Sequence, residues 1–302
     1  PSVFVPRHPD LFRMESGIIK TVKPAKANSS TESKVTPISS AKNKVSNQIS
    51  PQKEPASPEK DKDAATVNTL KSGENYITLK GRPYLTGQEV RIPSDPSSAA
   101  FPLVAALITP GSKISLENVL VNPQRFGLIK TLLEMGAKLK LKNKRYLGNE
   151  IVATIEAEYS ILKGIDVPKS RAPSMIDEYP ILCVASAKAK GITTMSGISE
   201  LRVKETDRIK LMVNGLRKAG IEVVEEHDCL KVKGGNVLGG CKISSELDHR
   251  IAMSFIILGL ISERPIQITG CETISTSFPN FIIQMKNLVY VVVIGLNYLV
   301  YN

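Results

Sequence analysis

At 302 residues with 42% apolar side chains, the chain is long enough to bury one large core or two smaller ones. Lys and Arg number 40 against 29 Asp and Glu, a formal charge of +11 that favours anionic partners without choosing among phosphorylated metabolites, nucleic acid and acidic surfaces. The absence of Trp argues against a stacking surface for single strands, and Cys183, Cys229, Cys241 and Cys271, with no C-x-x-C spacing and only His8, His227 and His249 beside them, argue against a metal cluster and read as free thiols of a reducing compartment.

Pro1 to Asp10 lacks a basic start followed by an apolar core, so a cytoplasmic protein without a secretory signal is expected. Residues 1–75 read as a mostly disordered polar leader. Lys23 to Leu70 is rich in Ser, Lys, Pro, Asn and Thr, with too little apolar surface to offset its ordering entropy. Its lysines alternate with acids in Glu59-Lys-Asp-Lys-Asp63, unlike a nucleic-acid-binding arm.

From Tyr76 the texture becomes a regular alternation of strands and helices, and residues 76–302 form the second segment. A unit of strand, buried helix, β-rich strand, amphipathic helix and further strands recurs three times. The first buried helix is expected over Ser98–Ile108, followed by the strand Gly111-Ser-Lys-Ile-Ser-Leu and a helix ending in Leu133-Glu-Met-Gly136. A second covers Met175–Ala189, then Gly191-Ile-Thr-Thr-Met and a helix ending in Leu216-Arg-Lys-Ala-Gly220. The third covers Arg250–Leu260, then Pro265-Ile-Gln-Ile-Thr and a helix from Phe278 to Leu288. Each middle helix is apolar nearly all round, which places it inside the fold. The third unit ends differently, in an apolar tail from Leu288 to Tyr301 that is interrupted by Gly295 and Asn297 and too short to span a bilayer as a helix.

The densest chemistry lies in Leu201-Arg-Val-Lys-Glu-Thr-Asp-Arg208, with two cations and two carboxylates within five residues at a helix start. Thr206 is the expected N-cap, and Ile209, Leu211, Met212 and Leu216 form the apolar face behind it. Free backbone N–H groups and side-chain cations make such a start a natural anion site. Three further patterns sit at helix starts: Pro93-Ser-Asp-Pro-Ser-Ser-Ala-Ala100, Arg171-Ala-Pro-Ser-Met-Ile-Asp-Glu-Tyr-Pro180 and Leu247-Asp-His-Arg-Ile-Ala-Met-Ser254.

In their order and spacing these four motifs resemble the 5-enolpyruvylshikimate-3-phosphate synthase (3-phosphoshikimate 1-carboxyvinyltransferase) family, from Tyr76 to Leu288. The resemblance implies an α/β fold of three βαβαββ pseudo-repeats around buried helices. It also implies transfer of an enolpyruvyl group from phosphoenolpyruvate to the 5-hydroxyl of shikimate 3-phosphate, a step of the shikimate pathway to chorismate and aromatic amino acids, with no cofactor or metal. By the same resemblance Asp177 is the proton acceptor and a contact of the shikimate ring, and Glu205 exchanges protons with the methylene carbon. Lys204 contacts shikimate 3-phosphate and sets the protonation of Glu205 by proximity. Arg208 and Arg250 bind phosphoenolpyruvate, with His249 in support near the phosphate. Forked guanidinium donors suit such carboxylate and phosphate groups. Asp95, Ser97 and Ser98 read as a cap that positions an interdomain hinge, with Ser94 where the family commonly has Gly.

The family's other domain, with its opening Lys-Ser and Arg and its Ser-Ser-Gln contacts, has no matching positions, and Thr276-Ser277 stands where some members carry lysine. The expectation is therefore an incomplete enzyme, with negligible turnover unless a separate chain supplies the missing half. The competing reading is a degenerate, non-catalytic fragment acting as a binding or interaction module. A related transferase acting on UDP-N-acetylglucosamine fits the Lys204–Arg208 and Asp-Glu-Tyr-Pro180 motifs less well. Neither a nucleic-acid nor a membrane partner is expected.

Overall fold

The computed structural model describes residues 12–15, 18–21, 65–79, 81, 87 and 89–290. Two short antiparallel hairpins come first: β1 (Phe12–Glu15) with β2 (Ile18–Thr21), and β3 (Ala65–Thr69) with β4 (Asn75–Leu79). Structure therefore begins before Tyr76, and the second hairpin straddles the boundary expected there. Contacts divide the chain into two units, Ala25–Val90 in one and Pro1–Pro24 with Arg91–Asn302 in the other. The rest of the polar leader and the tail 291–302 lie outside the described residues. No helix among the described residues is long and apolar enough to cross a membrane.

The larger unit is built by repetition. Its first repeat holds α1 (Pro96–Ile108), β5 (Lys113–Leu120), α2 (Gly127–Glu134), β6 (Lys138–Leu147) and β7 (Glu150–Glu158). The second holds β8 (Asp166–Val167), α3 (Tyr179–Lys188), β9 (Ile192–Ser196), α4 (Arg208–Lys218), β10 (Glu222–Glu225) and β11 (Cys229–Lys233). In the third are β12 (Gly239–Ser244), α5 (His249–Gly259), β13 (Arg264–Thr269), the single turn α6 (Ile274–Ser277) and α7 (Phe281–Tyr290).

Strand pairing makes the equivalence concrete. In every repeat the segment before the buried helix lies parallel to the strand after it: Ser94 bridges Val119, β8 pairs with β9, and β12 pairs with β13. The hairpin β6–β7 adds to β5 through β7 just as β10–β11 adds to β9 through β11, both antiparallel. The amphipathic helices α2 and α4 also end alike. Gly136 and Gly220 both have φ +89°, and the following residues return an N–H to the last turn, Ala137 to Leu132 and Ile221 to Leu216. Glycine takes that left-handed position without a Cβ penalty.

Helices α1, α3 and α5 pack pairwise at the centre. Their side chains are buried almost throughout, from Ala99 to Ile108, Tyr179 to Ala187 and Ile251 to Gly259. Three apolar helices without a polar face can be accommodated only where sheets and amphipathic helices cover them on every side. Two helices differ from expectation because of proline. Residues 169–174 and 176–178 form 3-10 turns, and regular helix starts only at Tyr179, where Pro180 occupies a first-turn position whose N–H would have no partner. In the third repeat the helix expected from Phe278 starts only at Phe281, because Phe278 precedes Pro279 and turns extended, with φ −138°.

Candidate active site

Three buried helices side by side bring three helix starts together, and α4 adds a fourth. Asp95 caps α1, its carboxylate accepting hydrogen bonds from the Ser98 N–H at 2.7 Å and hydroxyl at 2.9 Å, so the capping expectation holds at this position. Asp248 caps α5, accepting from the backbone of Arg250 at 2.9 Å and of Ile251 at 3.3 Å. At α4 the cap is Asp207, which accepts from the Lys210 N–H at 2.9 Å; Thr206, expected there, donates its hydroxyl to Asp248 at 3.1 Å instead. The physical reason is competition: Asp207 lies next to the first helical residue, and Arg202 holds it in place at 3.1 Å while also reaching Glu225 at 3.0 Å.

Arg208 is the centre of the site. It is 1% exposed, and each of its three nitrogens meets a different carboxylate: Nε donates to Asp248 at 2.7 Å, Nη1 to Asp177 at 3.1 Å and Nη2 to Glu205 at 2.5 Å. Asp248 is fully buried, whereas the side chains of Asp177 and Glu205 are 37% and 51% exposed. The guanidinium thus stands behind the two outer carboxylates and presents them to solvent one Arg-width apart. Arg250 approaches from the start of α5, with Nη2 3.6 Å from Asp177 Oδ2 and Nη1 3.4 Å from the Asp177 carbonyl oxygen. The structure therefore brings Asp177, Glu205, Arg208 and Arg250 to one mouth of the repeated fold.

Lys204 reaches the same loop but pairs with Glu200, one helical turn earlier, and not with Glu205. His249 is the first residue of α5 and half-buried; its imidazolium is disfavoured by burial first and by the Arg250 charge second, with Asp248 and Glu205 opposing, so its pKa is held below the usual value. Five contributing residues were not placed in the site from sequence, although Thr206 and Ser97 were read there as parts of caps. Asp248 and Thr206 complete the Arg208 cage. Glu178, Ser97 and Arg125 form a second cluster: Ser97 donates to the Glu178 carboxylate, and Arg125 Nη2 donates to Ser97 Oγ at 2.7 Å. The signal for Asp248 was available, since an Asp directly before an apolar helix is the usual cap. For Glu178 the signal was a second carboxylate directly after Asp177 at the start of a helix that is otherwise apolar.

All four cysteines are free thiols, and burial pushes Cys183 up to about 12. Among the described residues no group of His, Cys, Asp and Glu is arranged to hold a metal ion.

A family model described as EPSP synthase (3-phosphoshikimate 1-carboxyvinyltransferase) matches residues 64–285. The 3-phosphoshikimate 1-carboxyvinyltransferase of Chelativorans sp. (strain BNC1) is 53% identical over 228 residues, 74% of this chain and 51% of that relative. Its counterpart from Bartonella henselae is 54% identical over 213 residues, 70% of this chain and 48% of the relative. The 2.37 Å structure of EPSP synthase from Acinetobacter baumannii superposes with a TM-score of 0.68 at 42% identity, covering 74% of this chain and 51% of the other. The enolpyruvyl transferase NikO from Streptomyces tendae, at 15% identity and TM-score 0.55, shares the fold alone. The chain spans about half the length of the curated relatives it matches. With its repeats, its helix-start motifs and more than two hundred residues matched in register, the chain belongs to the EPSP synthase (3-phosphoshikimate 1-carboxyvinyltransferase) family.

Proposed function

We propose that this chain carries the acid–base face of an enolpyruvyl transferase that moves the enolpyruvyl group of phosphoenolpyruvate to the 5-hydroxyl of shikimate 3-phosphate and releases phosphate. The observation that carries the reading is the pair Asp177 and Glu205 held on two nitrogens of one buried guanidinium, with Arg250 beside them. The reaction needs one group to take the hydroxyl proton and another to deliver a proton to the methylene carbon. Two carboxylates fixed from behind and open in front suit that division, Asp177 as acceptor and Glu205 as donor.

The anionic groups of the substrates call for cations. Arg250 and Lys204 line the mouth, and Arg208, 1% exposed, acts from behind the two carboxylates. His249, uncharged at neutral pH, is placed to hydrogen-bond a phosphate oxygen. The transfer exchanges protons and a phosphate leaving group without oxidation or reduction, so these side chains need no cofactor.

Charge also argues for a second surface. Around Arg208 and Arg250 stand Asp177, Glu178, Glu205 and Asp248, so the cations on this side are already matched by carboxylates. Two multiply charged substrates then require further cations facing this mouth, and the half of the relatives that this chain does not span is where we place them, as a covalent or separate domain. Closure of that domain would also exclude water from the reacting centre.

Calorimetric titration of the full chain with each substrate, followed by a phosphate-release assay with both, tests the reading. The expected result is weak binding, negligible turnover by the chain alone, and turnover on adding a polypeptide that carries the other half of a relative. Steady turnover without any addition would refute the half-site argument. No binding and no complementation would refute the enzymatic reading and leave a non-catalytic fragment.

A further inference from the structure

The dipeptide Asp177-Glu178 holds two carboxylates with opposite surroundings. Asp177 faces the mouth, while Glu178 is 5% exposed and turned inward towards α1. At 5% exposure Glu178 presents almost no surface to a substrate, and nothing in the reaction proposed above uses it. We infer that Glu178 is a positioning residue for Arg250, fixing that guanidinium between two carboxylates and tying it through Ser97 to the start of α1. The inference rests on the reading of Arg250 as a ligand-binding cation.

The distances carry the argument. Among the described residues the polar contacts of the Arg250 guanidinium come from this dipeptide, and all are long: 3.4 Å to the Asp177 carbonyl, 3.6 Å to the Asp177 carboxylate and 3.8 Å to Glu178 Oε1. An arginine with a single carboxylate neighbour closes onto it, commonly as a two-pronged pair at about 2.7–2.9 Å. Such closure would consume Asp177 Oδ2, the oxygen that Arg208 leaves open, together with the Arg250 donors needed for an anion. Glu178 offers Nη1 a second carboxylate while Asp177 Oδ2 meets Nη2, and neither contact closes.

Glu178 can act as that counterweight only if it is itself immobile. Ser97 supplies the anchor. Its oxygen accepts from Arg125 Nη2 at 2.7 Å, so its one hydrogen is committed to Glu178 Oε1. Arg125 is steadied in turn by Asp95, the α1 cap, at 3.4 Å. The run Asp95–Arg125–Ser97–Glu178–Arg250–Asp177 therefore links the first, second and third repeats at their helix starts. Burial makes this an expensive place for a carboxylate, since desolvation is the leading cause pushing the Glu178 carboxyl above its ordinary value. A neutral residue would fill this place at less cost, and a carboxyl group buried here beside a ligand-binding cation fits function opposing stability.

The test is Glu178→Gln in the full chain, which keeps the shape and an acceptor for Ser97 but removes the charge. Two readouts are followed: the Arg250 side-chain Nε–H resonance in 15N NMR without ligand, assigned with Arg250→Lys, and phosphoenolpyruvate affinity by 31P NMR titration. The expected result is a shifted Arg250 resonance, an affinity about tenfold weaker, and a thermal midpoint equal to or above that of the parent chain. An unchanged Arg250 resonance overturns the inference. So does tighter phosphoenolpyruvate binding, the result that mere deletion of a nearby negative charge would give. If the parent chain binds no phosphoenolpyruvate but Glu178→Gln still shifts Arg250, positioning stands and the ligand-binding reading of Arg250 fails. Should Glu178→Gln not fold, Ser97→Ala cuts the same run without touching a charge. It is expected to shift Arg250 in the same direction by a smaller amount, and no shift there overturns the inference.

Discussion

Replacing Asp248 by Asn changes one atom at the point where the whole site is anchored. The carboxylate is fully buried and accepts four hydrogen bonds, two from the α5 backbone and two from Arg208 and Thr206. Asparagine is an equally good cap, so its amide oxygen will face the Arg250 and Ile251 N–H groups. Its NH2 then faces the Arg208 Nε–H across 2.7 Å, donor against donor. Thr206 can rotate its hydroxyl to accept, but Arg208 cannot, and at 1% exposure no solvent replaces the lost partner. The loss combines a charge-assisted hydrogen bond with an unsatisfied buried donor, and removal of one member of a buried ion pair typically costs about 3–5 kcal/mol. For a unit of this size, a loss of about 4 kcal/mol lowers the thermal midpoint by about 8–16 °C. Urea unfolding followed by circular dichroism should show the midpoint falling at unchanged slope. A measured loss below about 1 kcal/mol would mean that Asp177 and Glu205 alone satisfy Arg208, and that the cage is not organised around Asp248.

Three further outcomes follow from the same contacts. Arg208→Lys keeps the charge but can meet one carboxylate well where the fork meets three, so a loss of about 2–4 kcal/mol is expected, read by the same urea titration, and equal stability would deny the fork its role. Gly215→Ala places a Cβ 2.0 Å from Phe255 Cζ, where α4 crosses α5, and should cost about 1–3 kcal/mol or more in thermal unfolding although Ala is the better helix former. His249 stays neutral in the fold below the pH at which an unfolded histidine takes up its proton, near 6.5, so the unfolded state binds more protons and stability falls as pH drops from about 6.5 towards the depressed folded value. His249→Gln should flatten that part of the stability–pH curve and leave the region above pH 7 unchanged; an unaltered curve would show that Asp248 and Glu205 offset burial and Arg250 there.

The repeats and the buried helices were legible because periodicity reports them directly. Phe101–Leu107, Ile181–Ala185 and Ile251–Leu258 are apolar on all sides, and all three lie in the core. Helix ends were legible where glycine marks them, at Gly136 and Gly220, and blurred where proline intervenes, at Pro173 and Pro279. In the candidate site, the motif residues Asp177, Glu205, Arg208 and Arg250 were singled out through the family resemblance, but their pairing was not legible. Sequence adjacency made Lys204 the natural partner of Glu205, whereas the turn at residues 204–207 sends Lys204 back to Glu200 and gives Glu205 to Arg208. Contacts between repeats, such as Ser97 with Glu178 at 81 residues' separation, leave no local periodic trace.

The three repeats explain why chemistry gathers at one end, and their differences explain where on that end it sits. Parallel pairing around each buried helix sends every helix start to the same side. In the first repeat, Arg125 precedes an amphipathic helix without a side-chain cap and turns to the α1 start through Asp95 and Ser97. The second repeat has Arg208 in the corresponding region of α4, but it reaches across to the cap of the third repeat, Asp248, and to Asp177 at the start of α3. Two similarly placed arginines thus bind the repeats together, one through a serine and one through carboxylates alone. Only the second arrangement leaves exposed acids in front of a buried cation. An arginine at each position is therefore not sufficient for a site, and exchanging the two surroundings would not be neutral. Ser97→Asp would add a third carboxylate to Asp95 and Glu178, with Arg125 the one guanidinium bonded to Ser97 and Arg250 already 3.8 Å from Glu178, and is expected to destabilise the first repeat without creating a second acid–base pair.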